Sequence, residues 1–156
     1  LATAQGITLA DPWAYIAEAA LAVPAPKLRA KLSFFSSASG AEGEFTHILE
    51  DELTVGHLFR AAFESMADNY YAFAQQLSLE QTWRRLVFSG GLVQKIDLLR
   101  HLICERFQRD YRLAPTQEDT LLGLMVLGSA FSGHTNSIDH AAVYVSHGHA
   151  LGTTVT

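Results

Sequence analysis

Residues 86–95 read LVFSGGLVQK and join an apolar segment to a pair of glycines. The apolar segment, Trp83 to Phe88, predicts a buried strand, and residues 97–107 predict a helix behind the glycines. A glycine pair carries no Cβ, so the backbone at this point can lie close to a planar ligand. The free N–H groups at the start of a helix suit a phosphate, and Lys95 adds a positive charge. Such a glycine pair is more often an ordinary turn, and the residues alone leave both interpretations open.

Further strands and helices are expected on both sides of this stretch. On its carboxyl side, Tyr111 to Leu113 predicts a short strand and residues 117–131 predict a helix. On its amino side, the longest periodic segment runs from an N-cap at Thr54 to Leu77. A shorter helix begins at Asp11-Pro12, and residues 30–53 read as short strands and loops. The order strand, glycine turn, helix, strand, helix is typical of an α/β domain with at least one parallel crossover.

Two of these helices supply the predicted core. The helix over residues 97–107 is expected to bury one set of apolar side chains: Leu98, Leu99, Leu102, Ile103 and Phe107. The helix that begins after Thr54 has an apolar stripe at helical spacing: Val55, Leu58, Phe59, Ala62, Phe63, Met66, Tyr70, Phe73 and Leu77.

Composition and charge exclude several classes of protein. The 156 residues are 49% apolar and 17% charged, which is the composition of one globular domain. The net charge is −5 and the eleven Lys and Arg residues are scattered, so nucleic acid is not an expected partner. No apolar run has the roughly 20 residues that a membrane helix needs, so no membrane partner is expected either. Cys104 is the single cysteine and no signal peptide is recognisable, so a cytoplasmic location is expected.

Three segments resemble the FGGY family of carbohydrate kinases. The first begins Gly43-x-Phe45-x-His47-Ile48 and ends on a helix, residues 57–64, that reads HLFRAAFE; it is similar to the second signature of the family. Histidine stands at position 47, where the family usually has glycine. Residues 86–95 look like the strand–Gly-Gly–helix element with which these kinases hold adenosine. Residues 118–124, EDTLLGL, resemble the closing helix of the family, whose glycine allows close packing.

The resemblance implies a fold, a set of ligands and a set of site residues. The fold is a partial actin-like ATPase (ribonuclease H-like) domain, helix-rich with a small sheet. The implied function is the ATP-binding lobe of a transferase that moves the γ-phosphoryl group of ATP to a sugar or polyol hydroxyl, with Mg²⁺ held mainly by the missing half. The catalytic aspartate and the sugar site are expected in that amino-terminal half, so the chain alone is expected to be inactive. The implied ATP-binding residues are Ser89, Gly90, Gly91, Gln94 and Lys95.

The expected domain organisation is a kinase carboxy-terminal domain over residues 1–131 and a tail over residues 132–156. The tail is rich in His, Ser, Thr and Gly, and no helix is predicted in it. In an extended chain His147 and His149 would point to the same side, which makes a metal site a weaker alternative function.

A second alternative is a non-catalytic remnant of a sugar kinase that acts as a binding or interaction domain. The short length, the start at Leu1 and the departures from the family pattern at His47 and Ile96 motivate it. Cutting a two-lobed kinase exposes apolar surface, so self-association through the exposed lobe surface is also expected.

Overall fold

A computed structural model describes residues 8–23, 25–33, 42–114 and 119–151, without the side chains of 119 and 147–151. The chain forms two compact units. The first contains the described parts of Leu1–Phe88 and Leu92–Arg112, and the second contains Ser89–Gly91 and the described parts of Leu113–Thr156.

Two capped helices pack against each other in the first unit. Helix α1, Pro12–Leu21, begins after Asp11, whose Oδ1 accepts hydrogen bonds from the backbone N–H groups of Trp13 at 2.9 Å and Ala14 at 3.1 Å. Helix α2, Val55–Leu77, begins after Thr54, whose side chain accepts from the N–H of His57. Both caps satisfy donors that a helix start leaves free. The predicted starts of both helices and the predicted end of α2 at Leu77 are confirmed.

A short hairpin precedes α2. Strand β1, Arg29–Lys31, pairs antiparallel with strand β2, Glu44–Thr46. Strand β2 lies in the predicted strand-and-loop region, residues 30–53, and β1 begins one residue before it. Phe34 and Phe35 of that region lie outside the described residues.

Acidic residues form a 3₁₀ helix, Glu50–Glu52, behind this hairpin. The Glu52 carboxylate accepts hydrogen bonds from the backbone N–H groups of Lys27 at 2.8 Å and Leu28 at 3.4 Å. Leu28 is fully buried. This acidic turn is therefore not only solvated, because Glu52 holds the chain that enters β1.

Two side chains of α2 hold the backbone just after β1. Ser65 Oγ accepts a hydrogen bond from the N–H of Leu32 at 3.1 Å, and Asn69 Nδ2 donates to the Leu32 carbonyl at 3.1 Å. Both main-chain groups of Leu32 are thereby satisfied without a neighbouring strand.

The central stretch folds as strand β3, Leu86–Phe88, helix α3, Gly91–Lys95, helix α4, Asp97–Phe107, and strand β4, Tyr111–Leu113. Strands β3 and β4 are neighbours in a two-stranded sheet. The N–H of Leu86 donates to the carbonyl of Asp110 at 2.9 Å. The strand predicted over residues 83–88 is shorter than expected, and Val87 within it is 51% exposed.

The core of the first unit lies between α1, α2 and α4. All five predicted side chains of α4 are buried, which confirms that prediction. The predicted stripe on α2 is wrong at its end, because Tyr70, Phe73 and Leu77 are exposed. Tyr71 packs against the core instead, with its ring 5.2 Å from that of Phe107 in an edge-to-face arrangement.

The second unit contains a helical hairpin. Helix α5, Asp119–Phe131, packs on helix α6, Ile138–Leu151, in which Ala141 and Val145 are buried. The prediction that residues 132–156 contain no helix is wrong over α6. An added Cβ at Gly123 would meet no described atom within 4 Å, so the close packing expected at this glycine is not found. Among the described residues, no helix combines the length and apolarity needed to cross a membrane.

Candidate functional site

The predicted site begins at the turn between β3 and α3. Phe88, the last residue of β3, is buried, whereas Ser89, Gly90 and Gly91 are exposed. Gly90 has φ 87°, in the left-handed region that side chains with a Cβ rarely adopt. Gly91 is the first residue of α3. The first glycine is thus required by the backbone, while the second has an ordinary backbone conformation.

Open space adjoins both glycines. A Cβ built on Gly90 or on Gly91 would meet no described atom within 4 Å. A ligand can therefore approach the backbone at this turn closely. Because Gly91 has no positive φ, a side chain placed there is tolerated by the fold and would occupy only this space.

The remaining predicted site residues, Gln94 and Lys95, lie in α3 and not in a loop. This short helix separates the glycine turn from α4, and its last residue, Lys95, is exposed. The first helix expected after the glycines was the one over residues 97–107, so the existence of α3 is a correction. The structure brings Ser89, Gly90 and Gly91 together in one turn and places Gln94 and Lys95 one helical turn later along the chain.

Arg100 was missed by sequence analysis and contacts this segment. Its Nη1 donates hydrogen bonds to the carbonyls of Val93 at 2.6 Å and Gln94 at 2.7 Å, and its Nη2 pairs with the carboxylate of Asp97. The residue is buried, with an exposed fraction of 8%. Only the Asp97–Arg100 spacing, typical of a helical ion pair, was visible in the sequence.

A cavity of about 410 Å³ lies beside α4 in the first unit and is lined by Asp97, Arg100, His101, Cys104, Arg109, Asp110 and Tyr111. Burial raises the pKa of the Cys104 thiol, the Asp110 carboxylate raises it further, and the Arg100 guanidinium lowers it. A nucleophilic cysteine needs the opposite shift. This environment favours a packing role for Cys104 over a nucleophilic one.

Comparison with protein families identifies the chain. The model of the carboxy-terminal domain of the FGGY family of carbohydrate kinases matches residues 8–131. The chain belongs to this family. The match contains the glycine turn, α3, α4 and the capped helices, and it ends where α5 ends.

The FGGY fold is also found among solved structures. The chain is similar to the crystal structure of xylulose kinase from Rhodospirillum rubrum, with a TM-score of 0.58 and 21% sequence identity. The match covers 83% of this chain and 27% of that one, so the chain spans about a quarter of the length of that kinase. No curated protein sequence matches the chain. The predicted partial actin-like ATPase fold is confirmed.

The FGGY signature that ends at Glu64 has a clear structural role. Glu64 accepts hydrogen bonds from Arg29 Nη1 at 3.2 Å and from Arg60 Nε at 3.0 Å, and so joins β1 to α2. His47, which stands at the glycine position of the signature, has φ 57°. The turn therefore keeps the left-handed backbone that glycine adopts freely, although the side chain has changed.

The metal-site hypothesis was checked by whether potential ligands cluster in the described residues. No group of three or more His, Cys, Asp or Glu side chains there could hold a metal ion. The backbone of His147 and His149 is helical, and their side chains lie outside the described residues. The extended geometry on which the metal hypothesis rested is not found.

Proposed function

We propose that this chain is the nucleotide-binding part of an ATP-dependent carbohydrate kinase. The observation that carries the proposal is the open space beside Gly90 and Gly91, at a turn that the family match includes. Backbone without Cβ atoms can lie flat against the purine of ATP. Gln94 contributes an amide that can both donate and accept, and Lys95 contributes a positive charge near the phosphates.

The proposed reaction is transfer of the γ-phosphoryl group of ATP to a hydroxyl of a sugar or polyol. Such transfer depends on positioning and on electrostatic stabilisation of the phosphates. The chain corresponds to 27% of the solved kinase it resembles, so we assign the aspartate base and the sugar site to an amino-terminal half. The chain alone is expected to bind ATP without phosphorylating a sugar.

Magnesium would neutralise phosphate charge in this reaction. Mg²⁺ in such sites is held by one or two carboxylates together with the phosphates of the substrate, and no group of three or more carboxylate, histidine or cysteine side chains among the described residues could hold a metal ion without ATP. We therefore assign the metal mainly to the amino-terminal half and to ATP itself. Together with the single Cys104, the use of ATP supports a cytoplasmic location.

Calorimetry with Mg-ATP tests the proposal. The unsubstituted chain is expected to bind with millimolar or tighter affinity. Gly91→Val should weaken binding at least about tenfold, the effect of losing about 1.4 kcal/mol. Its melting temperature should change little, since a Cβ at Gly91 meets no described atom.

A matched control is Gly128→Val, on α5, where an added Cβ likewise meets no described atom within 4 Å. This variant should keep the affinity of the unsubstituted chain. No detectable heat with the unsubstituted chain would favour the remnant hypothesis, and equal affinity in Gly91→Val would remove the assigned pocket.

A further inference from the structure

Arg100 is a charged residue inside an apolar helix face. It lies in the first turn of α4, between the buried residues Leu99 and Leu102, and its side chain is 10% exposed. A buried charge persists only where specific partners compensate the loss of water. The contacts of Arg100 therefore indicate what this residue is for.

We propose that Arg100 is a positioning residue that fixes the carboxyl end of α3 and so holds Gln94 and Lys95 in place for the nucleotide. The proposal rests on the proposed function and names a residue outside the predicted ATP-binding set. Arg100 itself is not assigned a contact with ATP.

Helix α3 needs such support because it has five residues. A helix of this length is not stable alone, and its last carbonyls have no partner within the helix. The carbonyls of Val93 and Gln94 receive the two hydrogen bonds from Arg100 Nη1. Hydrogen bonds from a charged donor are stronger than those between neutral groups.

The guanidinium is held in one orientation from several sides. Asp97 pairs with Nη2, and the ring of Tyr111 on β4 lies with its centroid 6.0 Å from Arg100 Cζ. The buried Nε has no hydrogen-bond partner among the described residues. An unpartnered buried donor costs free energy. The guanidinium therefore keeps this orientation because the hydrogen bonds to the two carbonyls of α3 outweigh the missing hydrogen bond of Nε. Lysine, with a single ammonium group, cannot reproduce this planar arrangement.

Loss of this contact should affect ATP binding through α3. If α3 adopts its bound arrangement only about one tenth of the time, the apparent dissociation constant rises about tenfold. Arg106 provides a matched control on the same helix. It pairs with Asp68 of α2, with Nε and Oδ1 2.6 Å apart, so its ion pair joins α4 to α2 and not to α3.

The experiment compares Arg100→Leu, Arg100→Lys and Arg106→Leu in the full 156-residue chain. The first readout is amide hydrogen exchange without nucleotide, at residues 92–96, where the N–H of Ile96 donates to the Leu92 carbonyl at 2.9 Å. The second is the Mg-ATP dissociation constant from calorimetry. In Arg100→Leu, exchange in α3 should accelerate while exchange in α2 stays unchanged, and affinity should fall about tenfold. Arg100→Lys should be intermediate, and Arg106→Leu should match the unsubstituted chain in both readouts.

The outcomes separate this inference from the proposed function. Unchanged exchange at α3 in both Arg100 variants would overturn the positioning role, whatever the nucleotide data show. Accelerated exchange with unchanged ATP affinity would also overturn it, while leaving the ATP site intact. An unsubstituted chain that binds no ATP would overturn the proposed function and this role together. Weaker binding in Arg106→Leu would show that general destabilisation, and not α3, controls affinity.

Discussion

Gly56 of α2 lies directly against the backbone of Ala19 of α1. A Cβ on Gly56 would lie 2.4 Å from the carbonyl oxygen of Ala19 and 3.0 Å from its carbonyl carbon. Both obstacles are main-chain atoms, which cannot move aside by changing a rotamer. The absence of a side chain at Gly56 therefore sets how closely the two helices pack.

Gly56→Ala is expected to lower the free energy of unfolding by about 1–3 kcal/mol, the usual cost of overpacking a tight contact. The control is Gly123→Ala on α5, where the added Cβ has open space. This change should raise the free energy of unfolding by about 0.5–1 kcal/mol, because alanine favours helix over glycine. Denaturant unfolding measures both. Effects of the same sign would contradict the close contact.

His47→Gly should stabilise the chain. Left-handed backbone costs a residue with a Cβ about 1–2 kcal/mol. Glycine avoids this steric cost but loses more conformational entropy on folding, so the free energy of unfolding is expected to rise by about 0.5–1 kcal/mol. His47 Nδ1 lies 3.1 Å from Thr46 Oγ1, an exposed contact of little energetic weight. Denaturant unfolding of His47→Gly and His47→Ala separates the two effects. A gain of equal size in the alanine variant would show that φ 57° is not the cause.

Cys104 should react slowly with alkylating reagents. Burial and the Asp110 carboxylate raise its pKa from the ordinary value of 9.0, so less thiolate forms at a given pH. Because the folded-state pKa is the higher one, the thiol's contribution to stability is present below the unfolded pKa and is lost as pH rises through the folded pKa. Iodoacetamide labelling at about pH 8 should be slower in the folded chain than in urea. Asp110→Asn should accelerate labelling of the folded chain. Faster labelling in the folded chain would reverse the assigned shift.

The isolated chain should self-associate through the apolar surface of α5. Leu121 is 56% exposed, Leu124 is 58% exposed and Phe131 is 83% exposed. Apolar residues exposed together on one helix favour association. Light scattering should show concentration-dependent growth in mass, and Leu121→Lys combined with Leu124→Lys should reduce it.

Leu79→Lys is the control for that measurement, because Leu79 is 89% exposed in the loop after α2. It should leave the association unchanged. A monomer at all concentrations, without binding of an apolar dye, would contradict the prediction.

Local signals predicted the helices that begin at good caps. Asp11 and Thr54 stand next to their helices in the sequence and cap them in the structure, because a cap depends only on neighbouring residues. The same signal was available for α6 and was missed. Ser137 Oγ accepts a hydrogen bond from the N–H of His140 at 3.1 Å, and Asp139 lies in the first turn. The start of α6 was missed because the tail is rich in histidine and glycine, which gave no helical apolar pattern.

Long-range packing explains most of the remaining differences. The helical spacing favoured Tyr70 over Tyr71, but in the structure Tyr70 is exposed and Tyr71 packs against the core, where its ring meets that of Phe107. At the candidate site, the glycine turn could be predicted because the left-handed backbone at Gly90 is a local preference of glycine. The burial of Arg100 could not be predicted. Its partners are the backbone carbonyls of Val93 and Gln94, which are placed to accept from it only because α3 forms and ends where it does.

The hydrogen bonds from Ser65 and Asn69 to the main chain of Leu32 limit how this sequence can change in evolution. Both side chains recognise the peptide group of Leu32, which is the same for every amino acid except proline. Many residue types can therefore replace Leu32 without loss of these two hydrogen bonds. Positions 65 and 69 lack this freedom. Losing the Ser65 hydroxyl leaves the N–H of Leu32 without this acceptor, and losing the Asn69 amide leaves the carbonyl of Leu32 without this donor.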